Sequence, residues 1–313
     1  MNQSTPFIEI KSIVCGIDFS PYSARALQYA AVLARVNRAT LTAVYAVDPV
    51  LSTAAASAYN ARAIASSARQ ELRRFVLATL RLRPTPPLRM VVSVGTPAHT
   101  LLKTAEDIAA DLVVVGTHGL TGLKKAFFGS TTEAILRRSL LPVLAVPHIG
   151  GPSAKWPAGL IVAAVNSPDR VSAEAATAAT VANACGGTLA LVHAIPAMRL
   201  PAWLRLDKRA LDRAALALSR DWLMAKMAKS GATGDVRVFV GHTAEAAAAY
   251  AASRAASMLM MTLPSSGRVG RFFEAASAYR LVQHARCPVL VVHQRKGGHA
   301  SSRRRTSRLR RVA

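Results

Sequence analysis

Ser12-Ile13-Val14-Cys15-Gly16-Ile17-Asp18-Phe19-Ser20-Pro21 sets the pattern that the rest of the chain repeats. A short apolar run ends at a carboxylate. Ser20 then suits a helix N-cap and Pro21 the first helical position. Helical spacing follows, with Leu27, Ala31 and Ala34 on one face of residues 24–35. Residues 41–47 (LTAVYAV) return to strand character, 57–80 read as one long helix, and 88–94 (LRMVVSV) form a third strand closed by Gly95-Thr96-Pro97. Residues 98–110 read as helix, 111–115 (DLVVV) as a fourth strand and 142–146 (PVLAV) as a fifth. Strands alternating with helices imply right-handed crossovers and a parallel sheet with both faces covered.

The second half repeats the order. Residues 160–165 (LIVAAV) precede Asn166-Ser167-Pro168, and 236–240 precede Gly241-His242-Thr243. Asp18 and Asn166 are offset by 148 residues, Gly95 and Gly241 by 146, and Pro142 and Pro288 by 146. Three separate landmarks agreeing so closely indicate a duplication. The expected division is 9–149 for a first domain, 158–293 for a second and 294–313 for a tail, with a Gly/Pro-bearing linker between the domains. The fold class expected is α/β: two doubly wound open parallel sheets of five strands, each in the order 3-2-1-4-5.

Composition fits. Hydrophobic residues make up 51% of 313, charged residues 18% and aromatic residues 5%. No apolar run approaches the roughly 18–20 residues of a bilayer span, and the first residues lack the pattern of a secretory signal. Cys15, Cys185 and Cys287 are far apart, and no pair has zinc-like spacing. A reduced, cytoplasmic protein is expected. The net charge is +24: residues 1–150 and 151–293 each carry 16 basic and 8 acidic side chains, and 294–313 carry 8 basic and none acidic. That tail reads as disordered. It serves either as a non-specific polyanion contact or as a solvated extension, and it lacks the interleaved aromatics of a base-stacking surface.

In open parallel sheets, ligands bind beyond the carboxyl ends of the strands where the connections diverge. Here that is the crevice after strands one and four. Strand four is followed by Gly116-Thr117-His118-Gly119, nine residues, and Gly129-Ser130-Thr131. Glycines admit an anion close to backbone N–H groups, and a helix N-terminus adds open donors and a favourable dipole. Ser130-Thr131-Thr132-Glu133 fits a capping box, and Lys124 and Lys125 add charge in the loop. Asp18, across the crevice, is either an acceptor for a base amino group or ribose hydroxyl, or a helix cap. No Walker A loop and no G-x-G-x-x-G follows strand one. His118 reads as a solvent-facing loop residue.

The string Gly116-x2-Gly119-x9-Gly129-Ser130, flanked by 13–20 (IVCGIDFS), by 45–48 (YAVD) and by Gly95-Thr96-Pro97, resembles the nucleotide-binding pattern of the universal stress protein family. The resemblance covers both halves and implies the adenine nucleotide alpha hydrolase-like fold. It implies ATP, with Mg2+ or Mn2+ held mainly by phosphate oxygens. It implies that Asp18 contacts adenine, with the backbone of Ala46 beside it. Gly116 and Gly119 would then wrap phosphate and ribose, and Gly129, Ser130 and Thr131 would hold the terminal phosphates. Dimerisation is also implied; a tandem chain can make that pairing internally, through 143–146, and pair again as a homodimer. In the second half the matching positions are Asn166, Thr262, Ser265, Ala275 and Ala276, so the site there is eroded.

The function expected is a nucleotide-dependent stress or signalling module acting through partner binding. The alternative is a polyanion-binding accessory protein driven by the tail. No catalytic base is evident, so enzymatic activity is at most a slow ATPase. A nucleotidyl transferase would need an H-x-G-H-type motif where Asp18-Phe19-Ser20-Pro21 stands.

Overall fold

The computed structural model describes residues 10–294 apart from 59–60, 81–84, 119–128, 148–149, 167, 199, 202, 204–205 and 265–267. Gly119, Lys124, Lys125, Ser265 and all of the tail but its first residue therefore lie outside the described residues. The first repeat contains β1 (Ser12–Ile17), α1 (Pro21–Val36), β2 (Thr40–Val47), α2 (Pro49–Ala58), α3 (Ala61–Thr79), β3 (Leu88–Val94), α4 (Pro97–Asp107), β4 (Leu112–Gly116), α5 (Ser130–Arg138) and β5 (Val143–Val146). The second contains β6 (Leu160–Ala164), a 3-10 turn at Pro168–Arg170, α6 (Val171–Ala184), β7 (Thr188–Ile195), α7 (Lys208–Lys229), β8 (Asp235–Val240), α8 (Thr243–Ser253), β9 (Met258–Pro264), α9 (Arg268–His284) and β10 (Val289–Gln294).

Each repeat has the expected order, but the two sheets are one. The strands run β3-β2-β1-β4-β5-β10-β9-β6-β7-β8. Every pairing is parallel except the central one, where β5 and β10 lie antiparallel with Leu144 opposite Leu290 and Val143 opposite Val291. Each β5 and β10 strand thus covers the edge that the other would expose, which removes two template edges from the molecule. The expectation that 143–146 pairs the domains is met inside one chain.

Strand alternation divides the core into two layers. Ile13, Cys15 and Ile17 pack with Leu27 of α1, Leu72 of α3, Val171 of α6 and Leu223 of α7 on one face. Val14 and Val113 pack with Leu101 of α4, Ile135 of α5, Ala247 of α8 and Leu281 of α9 on the other. Burying each such Leu or Ile side chain fully contributes about 1.5–3 kcal/mol. Both layers run through both repeats.

One expectation needs correction. The helix read at 57–80 is preceded by another, α2, which starts directly after β2. Asp48 caps it, its Oδ1 accepting the Val50 N–H at 2.7 Å, with Pro49 in the first turn. The linker carries a docked residue as well. Trp156 is 5% exposed, sits edge-on to Tyr29 of α1 at 4.7 Å, and donates from Nε1 to the Ser257 carbonyl at 3.0 Å. Tyr29 in turn donates to the Gly150 carbonyl at 3.3 Å. One indole therefore bridges the two repeats.

Candidate functional site

The carboxyl ends of β1 and β4 are neighbours, with Cys15 opposite Val114. The chain leaves β1 through a strained turn. Phe19 has φ 63, a left-handed conformation unusual for a bulky residue. Its ring is held 4.5 Å from Tyr45 and 5.5 Å from Phe75, which holds it in place. Half-buried Asp18 precedes it, and Oδ1 accepts the Ser20 N–H at 3.0 Å. Ser20, not Asp18, is the cap of α1: its Oγ accepts the Ser23 N–H at 3.1 Å. Asp18 keeps Oδ2 outside these contacts. The β1–β2 ladder ends at Ile17 and Tyr45, so Ala46 lies one residue past the last β1 partner while still pairing with Ser93 of β3.

Gly116 ends β4 against the first turn of α1. A Cβ there would lie 2.8 Å from the Tyr22 carbonyl carbon and 2.9 Å from the Tyr22 Cβ and O. The absence of a side chain is thus required by helix packing, whatever ligand the crevice takes. From the other side, the buried Thr132 hydroxyl donates to the Gly116 carbonyl at 2.7 Å and ties α5 to the end of β4. Thr117 donates its N–H to Val146 and accepts from the Gly129 N–H, both at 3.0 Å.

The α5 start differs from the expected capping box. Gly129 is the N-cap residue, no side chain caps it, and Ser130 is the first helical residue. Glu133 turns to Arg137, with a contact of 2.5 Å. Gly129 spends its N–H on Thr117, so the open donors are those of the first turn, at exposed Ser130 and half-buried Thr131. With no side-chain cap, that turn keeps a favourable field for an anion. His118 is half-buried, 5.0 Å from the Tyr22 ring, with Nδ1 2.9 Å from Thr117 Oγ1. Asp18, Gly116, Ser130 and Thr131 are therefore brought to one end of the sheet. Phe19, Tyr22 and Thr132 were missed as supports; Phe19 and Tyr22 flank the Ser20-Pro21 signal, and Thr132 sits inside the misread box.

The second repeat builds the same crevice differently. Thr262 stands where Gly116 does, and the first helix is displaced: a 3-10 turn covers Pro168–Arg170 and α6 starts only at Val171. Asn166 Nδ2 contacts the Met261 sulfur at 3.7 Å, and His193 Nδ1 contacts the Val165 carbonyl at 2.8 Å. Above all, α9 starts at Arg268 and runs unbroken through Ala275 and Ala276. No helix N-terminus lies there.

Burial keeps the three thiols in the protonated form. Burial pushes Cys185 up to about 11 and Cys287 to about 12, and raises Cys15 further, with the Asp18 charge adding to it. Among the described residues no group of three His, Cys, Asp or Glu side chains stands ready for a metal ion, and no helix is long and apolar enough to cross a membrane.

The model of the universal stress protein family matches the chain twice, over residues 9–147 and 160–293. Universal stress protein A homolog 1 of Coxiella burnetii is 33% identical over 138 residues, 44% of this chain and 95% of that protein. Universal stress protein MJ0577 of Methanocaldococcus jannaschii is 41% identical over 56 residues, an alignment that spans 35% of that relative. Among solved structures, a universal stress protein from Archaeoglobus fulgidus superposes with TM-score 0.58 and 18% identity, covering 90% of this chain and 96% of that one, a likeness of fold. Duplicated sequence, mirrored half-sheets and two family matches agree: the chain belongs to the universal stress protein family, in a tandem form.

Proposed function

We propose that the first repeat binds one adenine nucleotide, ATP with Mg2+ or Mn2+, in the crevice between β1 and β4, and that the chain acts as a nucleotide-dependent stress or signalling module through partner binding. The observation that carries this reading is the uncapped first turn of α5, tied beside Gly116 by Thr132 and facing the same end of the sheet as Asp18. A phosphate group takes the N–H groups of Ser130 and Thr131 and their hydroxyls. Gly116 lines the approach and Gly129 sets the start of the helix; Gly119 is assigned to the phosphate and ribose by the sequence pattern. The Asp18 carboxylate accepts from the adenine amino group, and the backbone of Ala46, past the end of the β1 ladder, meets the base edge. The cation is held mainly by phosphate oxygens. The second repeat does not hold nucleotide in this way, because α9 occupies the place of the phosphate turn with continuous helix. The domain division at 9–149 and 158–293 belongs to the same reading.

The test is chromatography of nucleotide released by acid from protein washed at high salt, which strips polyanions from the tail. About one adenine nucleotide per chain is expected, lost in Asp18→Ala and in Gly119→Val. An empty protein that also fails to take up ATP with magnesium would overturn the reading and bring the basic tail forward.

A further inference from the structure

A cavity of about 540 Å³ lies at the opposite end of the first repeat, at the amino ends of β1, β2 and β3 beside the end of α4. It falls within the volume range of small-molecule sites. Polar groups line it: Lys11, Ser12, Thr40, Thr42, Arg89 and Asp111. The ladders put Ser12 opposite Thr40 and Thr42 opposite Arg89, so these side chains share one face of the sheet. Thr42 is 1% exposed, and its hydroxyl has no hydrogen-bond partner among the described residues. A buried hydroxyl left without a partner is costly, and native structures rarely keep one without a use.

The second repeat provides an internal control. Its ladders put Leu160 opposite Thr188 and Ala190 opposite Asp235. The Ser257 N–H bonds the Leu160 carbonyl as the Asp111 N–H bonds that of Ser12. Ser12 therefore corresponds to Leu160, Thr42 to Ala190, Arg89 to Asp235, Asp111 to Ser257 and Lys11 to Gly159. Ala190 is fully buried, so the fold closes well with an apolar residue in the place of Thr42. The fold itself does not require a polar residue at Ser12 or Thr42, Thr40 keeps its counterpart in Thr188, and the charge at the Arg89 position is reversed in the other repeat.

We infer that this cavity is a second ligand site, for a small hydroxylated phosphate of sugar-phosphate class. Lys11 and Arg89 bring positive charge to an anionic group. Asp111 uses Oδ2 to accept the N–H groups of Lys11 at 2.8 Å and Ser12 at 3.0 Å. Its charge disfavours a bare polyanion and favours a ligand with hydroxyl donors at one end. The hydroxyls of Thr40 and Thr42 serve either end, as donors or acceptors. The inference is independent of the nucleotide site, which lies at the other end of the sheet.

The experiment is calorimetric titration of the full chain with ribose 5-phosphate, and separately with ribose and inorganic phosphate, with and without saturating ATP. Ribose 5-phosphate is expected to bind at about one per chain, more tightly than either half and unaffected by ATP. Thr42→Val and Arg89→Ala are each expected to weaken it about tenfold, the effect of losing one net or charge-assisted hydrogen bond. Thr42→Val copies the apolar character of Ala190, and circular dichroism confirms its fold. No binding, binding unchanged in both variants, displacement by ATP, or equal binding of inorganic phosphate alone each overturns the inference.

Discussion

Gly116→Ala tests whether the crevice is set by helix packing. The added Cβ would meet three Tyr22 atoms between 2.8 and 2.9 Å, two of them backbone. Neither side yields easily. The Tyr22 backbone belongs to a helix start fixed by Pro21 and by the Ser20 cap, both Ser20 and Ser23 being buried. Gly116 is held in β4 by its pairing with Val146 and by the Thr132 hydroxyl on its carbonyl. Relief must come from moving α1 or β4 by a few tenths of an ångström. Overpacking of this kind costs about 1–3 kcal/mol. In a cooperative chain of 313 residues each kcal/mol lowers the midpoint by about 1.5 °C.

The assay is thermal and urea unfolding followed by circular dichroism, with Gly150→Ala as control, because a Cβ at Gly150 meets nothing within 4 Å. The same displacement shifts the Asp18 turn against α5, so nucleotide uptake should fall in Gly116→Ala and not in the control. A Gly116→Ala midpoint equal to that of the control would refute the packing argument. Unchanged stability with lost nucleotide would assign Gly116 to the ligand alone.

Trp156→Ala removes one contact between the repeats while the β5–β10 pairing stays, and should cost about 3–5 kcal/mol, as large buried truncations do; differential scanning calorimetry is expected to show a midpoint below that of the unaltered chain, and an unchanged midpoint would contradict the docking. The thiols should be silent toward a disulfide reagent at pH 8 in the native chain and react as three in urea, since a thiol held near 11 is only about one part in a thousand thiolate there. All three are raised above the ordinary value of 9.0. Their contribution to stability is therefore full below about pH 9 and lost as pH climbs toward 11–12, so an unfolding midpoint still rising across that range would contradict their burial. Asn166→Asp with Thr262→Gly should not bring nucleotide into the second repeat, because α9 still runs through the phosphate position; a second equivalent of bound ATP in this double variant would sink that account.

Strands, repeat and order were legible because burial on both sheet faces writes each strand as an apolar run. The offsets of 148 and 146 residues carried the duplication. The misreadings share a cause. Ser130-Thr131-Thr132-Glu133 has the letters of a capping box, but those letters do not say whether Ser130 stands at the cap or one residue inside it. Residues 49–58 are alanine-rich with weak periodicity, so α2 was signalled only by Asp48-Pro49. The cavity at the amino end draws on residues from 11 to 111, a grouping that exists only once β1, β2 and β3 are side by side.

Gly116 shows why a motif letter and its physical reason can part company. A glycine at the end of β4 admits an anion, and it also admits a helix; the distances to Tyr22 demonstrate the second need directly. The two needs are linked, because α1 can start at Pro21, tight against β4, only where no side chain intervenes. In the second repeat buried Thr262 stands at that position, the helix start is replaced by a 3-10 turn, and α6 begins only at Val171. Across the crevice, the break before α5 has no counterpart in α9. The differences between the repeats thus come as a set, at the end of the first strand, the end of the fourth and the helix that follows it. Restoring single letters cannot restore the site, and the first repeat's crevice is best regarded as one packed unit: the Asp18 turn, the start of α1, Gly116 and the open turn of α5.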